Sequence, residues 1–326
     1  MNNDRSLINL YTYPINVVLK KLLVDKTTGK NIIFATTSYL DKGDIFGPER
    51  QITLQHLNGI SSFDVRPRAE KNLDDQIDRT RKSAEVFTPS WICNKMNNYC
   101  DYEWFGREEN LFNIETEENG WITNKEKIAF TSNKTWKDYV QSTRLEITCG
   151  EAPYLVSRYD SATGELIDVE NRIGLLDRKL RIVTENTDTE NEWYKWALKA
   201  YQSCYGYEYQ GDSLLIARVN LIYTFVDYYQ HVWHKIPDEK QLLKITNIIV
   251  WNIWQMNGLT GFVPYSEVKT KKEEDILQLS LFDFGIEIES ADEVEEEYVI
   301  TGTPCRIFDW RANKSIEYNK EIRGVD

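Results

Sequence analysis

The stretch that most constrains this chain is Thr143-Arg-Leu-Glu-Ile-Thr-Cys-Gly-Glu-Ala-Pro-Tyr-Leu155. It is an apolar run that ends in an acidic residue and a lone glycine, with a helix start expected after them. A strand running into Cys149-Gly150 leaves backbone N–H groups open at the turn, and with a helix N-terminus these can hold a carboxylate or phosphate. The same corner also serves as an ordinary connection in α/β proteins. The rest of the chain has to decide between the two.

At 326 residues, with 41% apolar and 13% aromatic residues, the chain is long and apolar enough for a folded globule with a substantial core. The ten Trp and nineteen Tyr supply core volume and also suit surfaces on which bases stack. A net charge of −13 argues against coating DNA by overall attraction. Charge is unevenly spread, however. The segment from Arg66 to Lys82 is locally basic, and that from Glu287 to Glu297 is strongly acidic.

Five cysteines without close pairing read as reduced thiols. Three histidines, of which only His231 and His234 are close in sequence, make a zinc site unexpected. The N-terminus lacks a signal-like pattern and no apolar run reaches spanning length. A soluble cytoplasmic protein with no membrane association is expected.

In chain order, residues 15–24 have helical spacing, residues 31–37 are β-rich and read as a short strand, and together with residues 52–57 they make a small N-terminal lobe. A helix is expected over 91–99, with Thr88 as its cap and Pro89 in its first turn. Residues 172–183 and 192–201 read as helices, 213–223 as a further helix and 245–254 as a strand.

Two stretches stand in an order that one family requires. Ser83-Ala-Glu-Val-Phe-Thr-Pro-Ser-Trp-Ile-Cys-Asn-Lys-Met96 resembles the "F-x-T-P, then helix" opening of adenine-specific DNA methyltransferases of restriction–modification systems, although Thr88 here follows Phe87 directly. Tyr205-Gly-Tyr-Glu-Tyr-Gln-Gly-Asp-Ser-Leu-Leu-Ile-Ala-Arg-Val-Asn-Leu221 is similar to that family's second motif, a strand ending in Gly-x-Glu before a helix with Ala-Arg-x-Asn-Leu. The chain thus resembles the "subunit M" proteins of such systems over roughly residues 80 to 265.

The resemblance implies an S-adenosylmethionine-dependent methyltransferase (Rossmann-like) α/β sheet with helices on both faces. It would span residues 81–265, with insertions at about 101–139 and 160–200, between an N-terminal lobe (1–80) and an acidic linker and C-terminal segment (266–326). Phe87, Thr88 and Pro89 would close over the methionine end of the cofactor. Glu146 would lie near its ammonium, Cys149 and Gly150 at the turn, and Asn257 at the adenine amino group. Glu208, a carboxylate at a strand end, would take both ribose hydroxyls.

The pattern departs in two places. Glu151-Ala152 stands where the family has a second small glycine, and Glu151 there would repel a carboxylate. The Asp/Asn-Pro-Pro-aromatic tetrad that holds a target amine is missing, since Phe262-Val-Pro-Tyr265 has only one proline and the aromatic. The catalytic residues therefore stay unassigned. Gly302-Thr-Pro-Cys305 resembles the nucleophile loop of cytosine-ring methyltransferases, but about twenty residues follow it, too few for that family's remaining motifs.

Gln278, Leu279, Ser280, Leu281 and Phe282 resemble the pentapeptide by which replication and repair proteins dock on the sliding clamp. The expected function is S-adenosylmethionine-dependent methylation of adenine in DNA, with DNA and a restriction–modification partner subunit as partners. The alternatives are a non-catalytic cofactor- or DNA-binding partner subunit and a methyltransferase acting on RNA or protein.

Overall fold

The computed structural model describes residues 6–58, 63–72, 74, 76–77, 79–80, 88–107, 111–271 and 298–318. Phe87, the clamp-like pentapeptide and the acidic run lie outside the described residues. The described chain is a mixed α/β protein. Its helices are α1 (Ile15–Leu22), α2 (Leu54–Asn58), α3 (Ser90–Phe105), α4 (Trp136–Gln141), α5 (Leu175–Glu185), α6 (Glu190–Gln202), α7 (Gly211–Trp233) and α8 (Glu239–Asn252). Its strands are β1 (Asn113–Glu115), β2 (Trp121–Thr123), β3 (Arg144–Glu146), β4 (Cys204–Glu208), β5 (Ile253–Gln255), β6 (Val268–Lys271), β7 (Tyr298–Thr301), β8 (Arg306–Asp309) and β9 (Lys314–Glu317).

The organising sheet is β3-β4-β5, parallel throughout, with Glu146 beside Gly206 and Glu208 beside Gln255. Each strand reaches the next through two helices, α5 and α6 and then α7 and α8, as parallel strands require a crossover. Alternation along β4 and β5 divides their side chains between two faces. Cys204 and Ile253 join the large helical core, whereas Tyr207 and Trp254 join a smaller one. That smaller core is completed by Cys305, Ile307 and Tyr318, so the hairpin β8-β9 docks on this face of the sheet. The large core is continuous from Ile8 to Ile253, and α1 packs on both α7 and α8. Among the described residues no helix is long and apolar enough to cross a membrane.

Several sequence expectations need correction. Residues 245–254 are mostly helix: α8 runs to Asn252 and only Ile253–Gln255 is strand. Residues 31–37 do not form the expected strand and make only isolated bridges, Val24 to Asn31 and Ile33 to Gln51. No helix follows Gly150. Thr148, Gly150 and Ala152 all have left-handed φ, of 45°, 54° and 66°, which a right-handed helix excludes. The next α-helix, α5, begins only at Leu175, after a single 3-10 turn at Val169–Asn171.

Thr88 does not cap α3. The cap position is Pro89, and the carboxylate of Asp160 accepts from the Ser90 N–H at 2.6 Å instead. A distant side chain thus satisfies a donor that a local hydroxyl was expected to take.

Candidate functional site at the carboxyl edge of the parallel sheet

Strands β3, β4 and β5 end on the same side, and the motif residues follow each strand end. At β4, the Glu208 carboxylate accepts three backbone bonds, from Gly150 (2.8 Å), Tyr209 (2.9 Å) and Gln210 (3.0 Å). Gly150 can aim its N–H this way because its φ of 54° suits glycine. The Cys149 N–H donates to the Tyr207 carbonyl at 2.8 Å, which extends the β3 to β4 pairing into the turn. The glycine turn and the strand-end glutamate are therefore in direct contact.

At β3, Glu146 is buried and accepts from Tyr154 N–H (3.2 Å) and Leu155 N–H (3.0 Å), drawing the loop after Gly150 back under the strand. Thr88 and Pro89 come to the same place. The Thr88 carbonyl accepts from Ser161 at 2.9 Å, and the Tyr154 hydroxyl interacts with Thr88 and Cys93. At β5, the Met256 N–H donates to the Glu208 carbonyl. Asn257 then builds its own turn. Its Oδ1 accepts from Leu259 N–H, its Nδ2 donates to Glu267, and its carbonyl accepts from Gly261 N–H.

Glu151 does not face the turn. Its carboxylate is buried, accepting from Arg68 N–H (2.7 Å) and from the Tyr159 hydroxyl (2.7 Å). Asn220, from the Ala-Arg-x-Asn-Leu segment, donates to the Glu151 carbonyl and to Tyr159, fixing the glycine loop onto α7. Asn220, Tyr159 and Asp160 therefore shape this edge. Only Asn220 stood within a stretch that the sequence singled out.

The edge is also crowded by the amino-terminal segment. The Gly211 N–H donates to the Phe34 carbonyl at 2.9 Å, and a Cβ on Gly211 would come within 2.0 Å of the Ile33 carbonyl oxygen. Only glycine permits that approach. Gln255 holds the same segment, accepting from Ile33 N–H and donating to its carbonyl.

Cys305 is buried, its thiol donating to the Gln255 carbonyl, and burial pushes its pKa far above the usual thiol value. It is inert packing against the sheet rather than an exposed nucleophile.

Burial pushes the Glu146 carboxyl up to about 8, although its two N–H partners favour the charged form. Burial likewise raises Glu208, against its three backbone donors. The sign of the resulting linkage is fixed. Below about 4.5, the ordinary glutamate value, folded and unfolded chains both hold the Glu146 proton. Between there and about 8 only the folded chain holds it, so stability is lost as pH rises, by about 1.4 kcal/mol per pH unit. Urea midpoints measured across this window should show the decline, and Glu146→Gln should flatten it. The same slope in variant and wild type would mean that Glu146 is not the titrating group.

Comparison of the chain with protein-family models, with curated proteins and with solved structures gives no match.

Proposed function

We propose that the chain is a methyltransferase-like modification subunit, built on a Rossmann-like sheet, that binds S-adenosylmethionine at the carboxyl edge and serves methylation of adenine in DNA. One observation carries this reading. The strands bearing the three expected motifs are adjacent, parallel and in chain order, and the Gly150 turn touches Glu208 at 2.8 Å. Ligands of parallel α/β sheets bind outside the carboxyl ends of the strands.

The residues fit the cofactor in part. A carboxylate has about four acceptor sites. Glu208 uses three, so it can receive one ribose hydroxyl rather than grip both. Glu146 uses two and keeps capacity for an ammonium donor. Asn257 keeps one Nδ2 hydrogen and one Oδ1 lone pair. When bound, the cofactor supplies the methyl group on a sulfonium.

Tyr265 offers an aromatic surface at this edge. It is 47% exposed and lies 6.3 Å from Tyr209, the residue after Glu208, and its φ of 61° is unusual for a bulky side chain. We assign it to stacking on the target base.

Titration calorimetry with S-adenosylmethionine should give micromolar binding that weakens by about tenfold or more in Glu208→Ala. Tyr265→Ala should keep that binding and lose methyl transfer to DNA. Absence of binding by the wild type would defeat the reading.

A second reading is favoured by a specific observation: Glu208, Glu146 and Asn257 all spend hydrogen-bond capacity inside the chain. A non-catalytic partner subunit would need nothing more from them. Methylation that appears only when a companion subunit is added would support this reading over the first.

A further inference from the structure

The basic stretch beginning at Arg66, which the cofactor reading leaves without a role, lines a cavity of about 750 Å³ in the amino-terminal part of the chain. Thr37, Ser38, Tyr39, Asp41 and Lys42 line it together with Arg66, Lys71 and Arg79. The floor is a buried cluster at the start of α7. Arg79 donates to Asp212 at 2.7 Å and to the Gln210 side chain at 3.0 Å, and Tyr39 donates its hydroxyl to Asp212 at 2.6 Å. Burial alone would raise the Asp212 carboxyl, but Arg79, Lys71 and the Tyr39 hydroxyl hold it well below the usual range.

Arg79 already neutralises Asp212. The Lys71 side chain is only 10% exposed, and its Nζ lies 3.9 Å from Asp212, outside hydrogen-bond reach. Among the described residues that buried Nζ has no hydrogen-bond partner. Among the described residues, the Arg79 and Lys71 cations both face the Asp212 carboxylate. A buried ammonium with its hydrogens unpaired is costly unless something completes the site.

Among the described residues, the other acids of the cavity do not complete it. Asp64 pairs with Arg66 at 2.5 Å, Glu70 accepts from Leu7 N–H and from the Ser6 hydroxyl, and Asp41 is exposed. Thr37 and Ser38, which carry hydroxyl groups, and the exposed cation Lys42 also line the cavity.

We propose that this cavity is a phosphate-binding site with Lys71 at its centre, taking either a phosphate of a nucleic-acid backbone or a free phosphate. An oxyanion with several acceptor oxygens supplies a negative partner for Lys71 and can also accept from hydroxyl groups lining the same cavity. The site lies beside the carboxyl edge, because Gln210 donates its N–H to Glu208 and accepts from Arg79. It does not depend on S-adenosylmethionine binding, so it can stand if the cofactor reading fails.

The test uses the full chain and two probes: calorimetry with inorganic phosphate, and fluorescence anisotropy with a short labelled DNA duplex over a salt series. At least one probe should bind, and Lys71→Met should weaken that binding by about ten- to a hundredfold without lowering the unfolding midpoint. Lys42→Ala, at the exposed rim, should weaken it less. If the duplex is the ligand, the salt slope should fall by about one in Lys71→Met. Binding of inorganic phosphate alone would assign a free phosphate. Failure of the wild type to bind either probe, or equal binding by wild type and Lys71→Met, overturns the proposal.

Discussion

Replacing Asp101 by alanine should cost about 3–5 kcal/mol of stability, the loss expected when one partner of a buried charge network is removed. Asp101 is buried on α3. Its carboxylate accepts from Arg178 of α5 at 2.6 Å, from the Tyr139 hydroxyl at 2.9 Å and from Arg144 at 3.3 Å. Arg178 is buried as well, and it also donates to Asn94 (2.9 Å), Asn98 (2.7 Å) and the Ile173 carbonyl (3.0 Å). Alanine would leave the fully buried Arg178 guanidinium, and the partly buried Arg144 beside it, without their carboxylate. Urea unfolding of Asp101→Ala, Arg178→Met and the double variant tests this. The double variant should recover part of the loss, because two matched apolar groups replace a pair rather than orphan one member. A loss below about 1 kcal/mol for Asp101→Ala, as for an exposed pair, would mean that water reaches the network.

The same interface explains why sequence reading gave α3 only a boundary and no orientation. Asn94, Asn97, Asn98 and Asp101 recur at i, i+3, i+4 and i+7 and are the buried stripe, while Met96 and Tyr99 point outward at 50% and 63% exposure. Apolar periodicity, which assumes that the oily face turns inward, misorients such a helix. The polar stripe is stable because its groups are satisfied: Asn94 and Asn113 exchange hydrogen bonds, and Asn97 donates to the Tyr154 and Ile173 carbonyls. No local pattern announces those partners, which lie up to 84 residues away.

For α8 the failure was of another kind, since a local signal existed. Residues 245–254 read as a strand because Leu242, Ile245, Ile248, Ile249 and Val250 are all buried, so the helical period is masked by burial on several sides. Asp238 and Gln241, however, form a capping box, each side chain accepting from the other's backbone N–H at 2.8 Å. That spacing marks a helix start in sequence. At the candidate site, the sequence singled out Gly150 and Glu208 separately and the structure brings them into contact, whereas the Ile33 and Phe34 carbonyls at the strand ends come from a segment whose only sequence signal was β-branched composition.

Arg218→Met should be the other severe substitution, with an expected loss of about 3–5 kcal/mol. In the structure the whole side chain is buried, and its guanidinium donates to the Leu22 (2.5 Å), Val24 (3.0 Å) and Ile253 (2.8 Å) carbonyls. It thus ties the end of α1 and the first residue of β5 to α7. Burial draws its pKa down to about 10, with Asp25 countering, so it stays charged at neutral pH. Methionine fills much of the volume but leaves three buried carbonyls without a donor, each costing about 1–3 kcal/mol unless water enters. Because β5 carries Gln255, which in turn holds Ile33 at the strand ends, the damage should reach the carboxyl edge. Amide hydrogen exchange should therefore speed up at Ile33 and Met256 as well as along α1 in Arg218→Met. Faster exchange confined to α1 would show that Arg218 anchors that helix alone and that the edge is held independently of it.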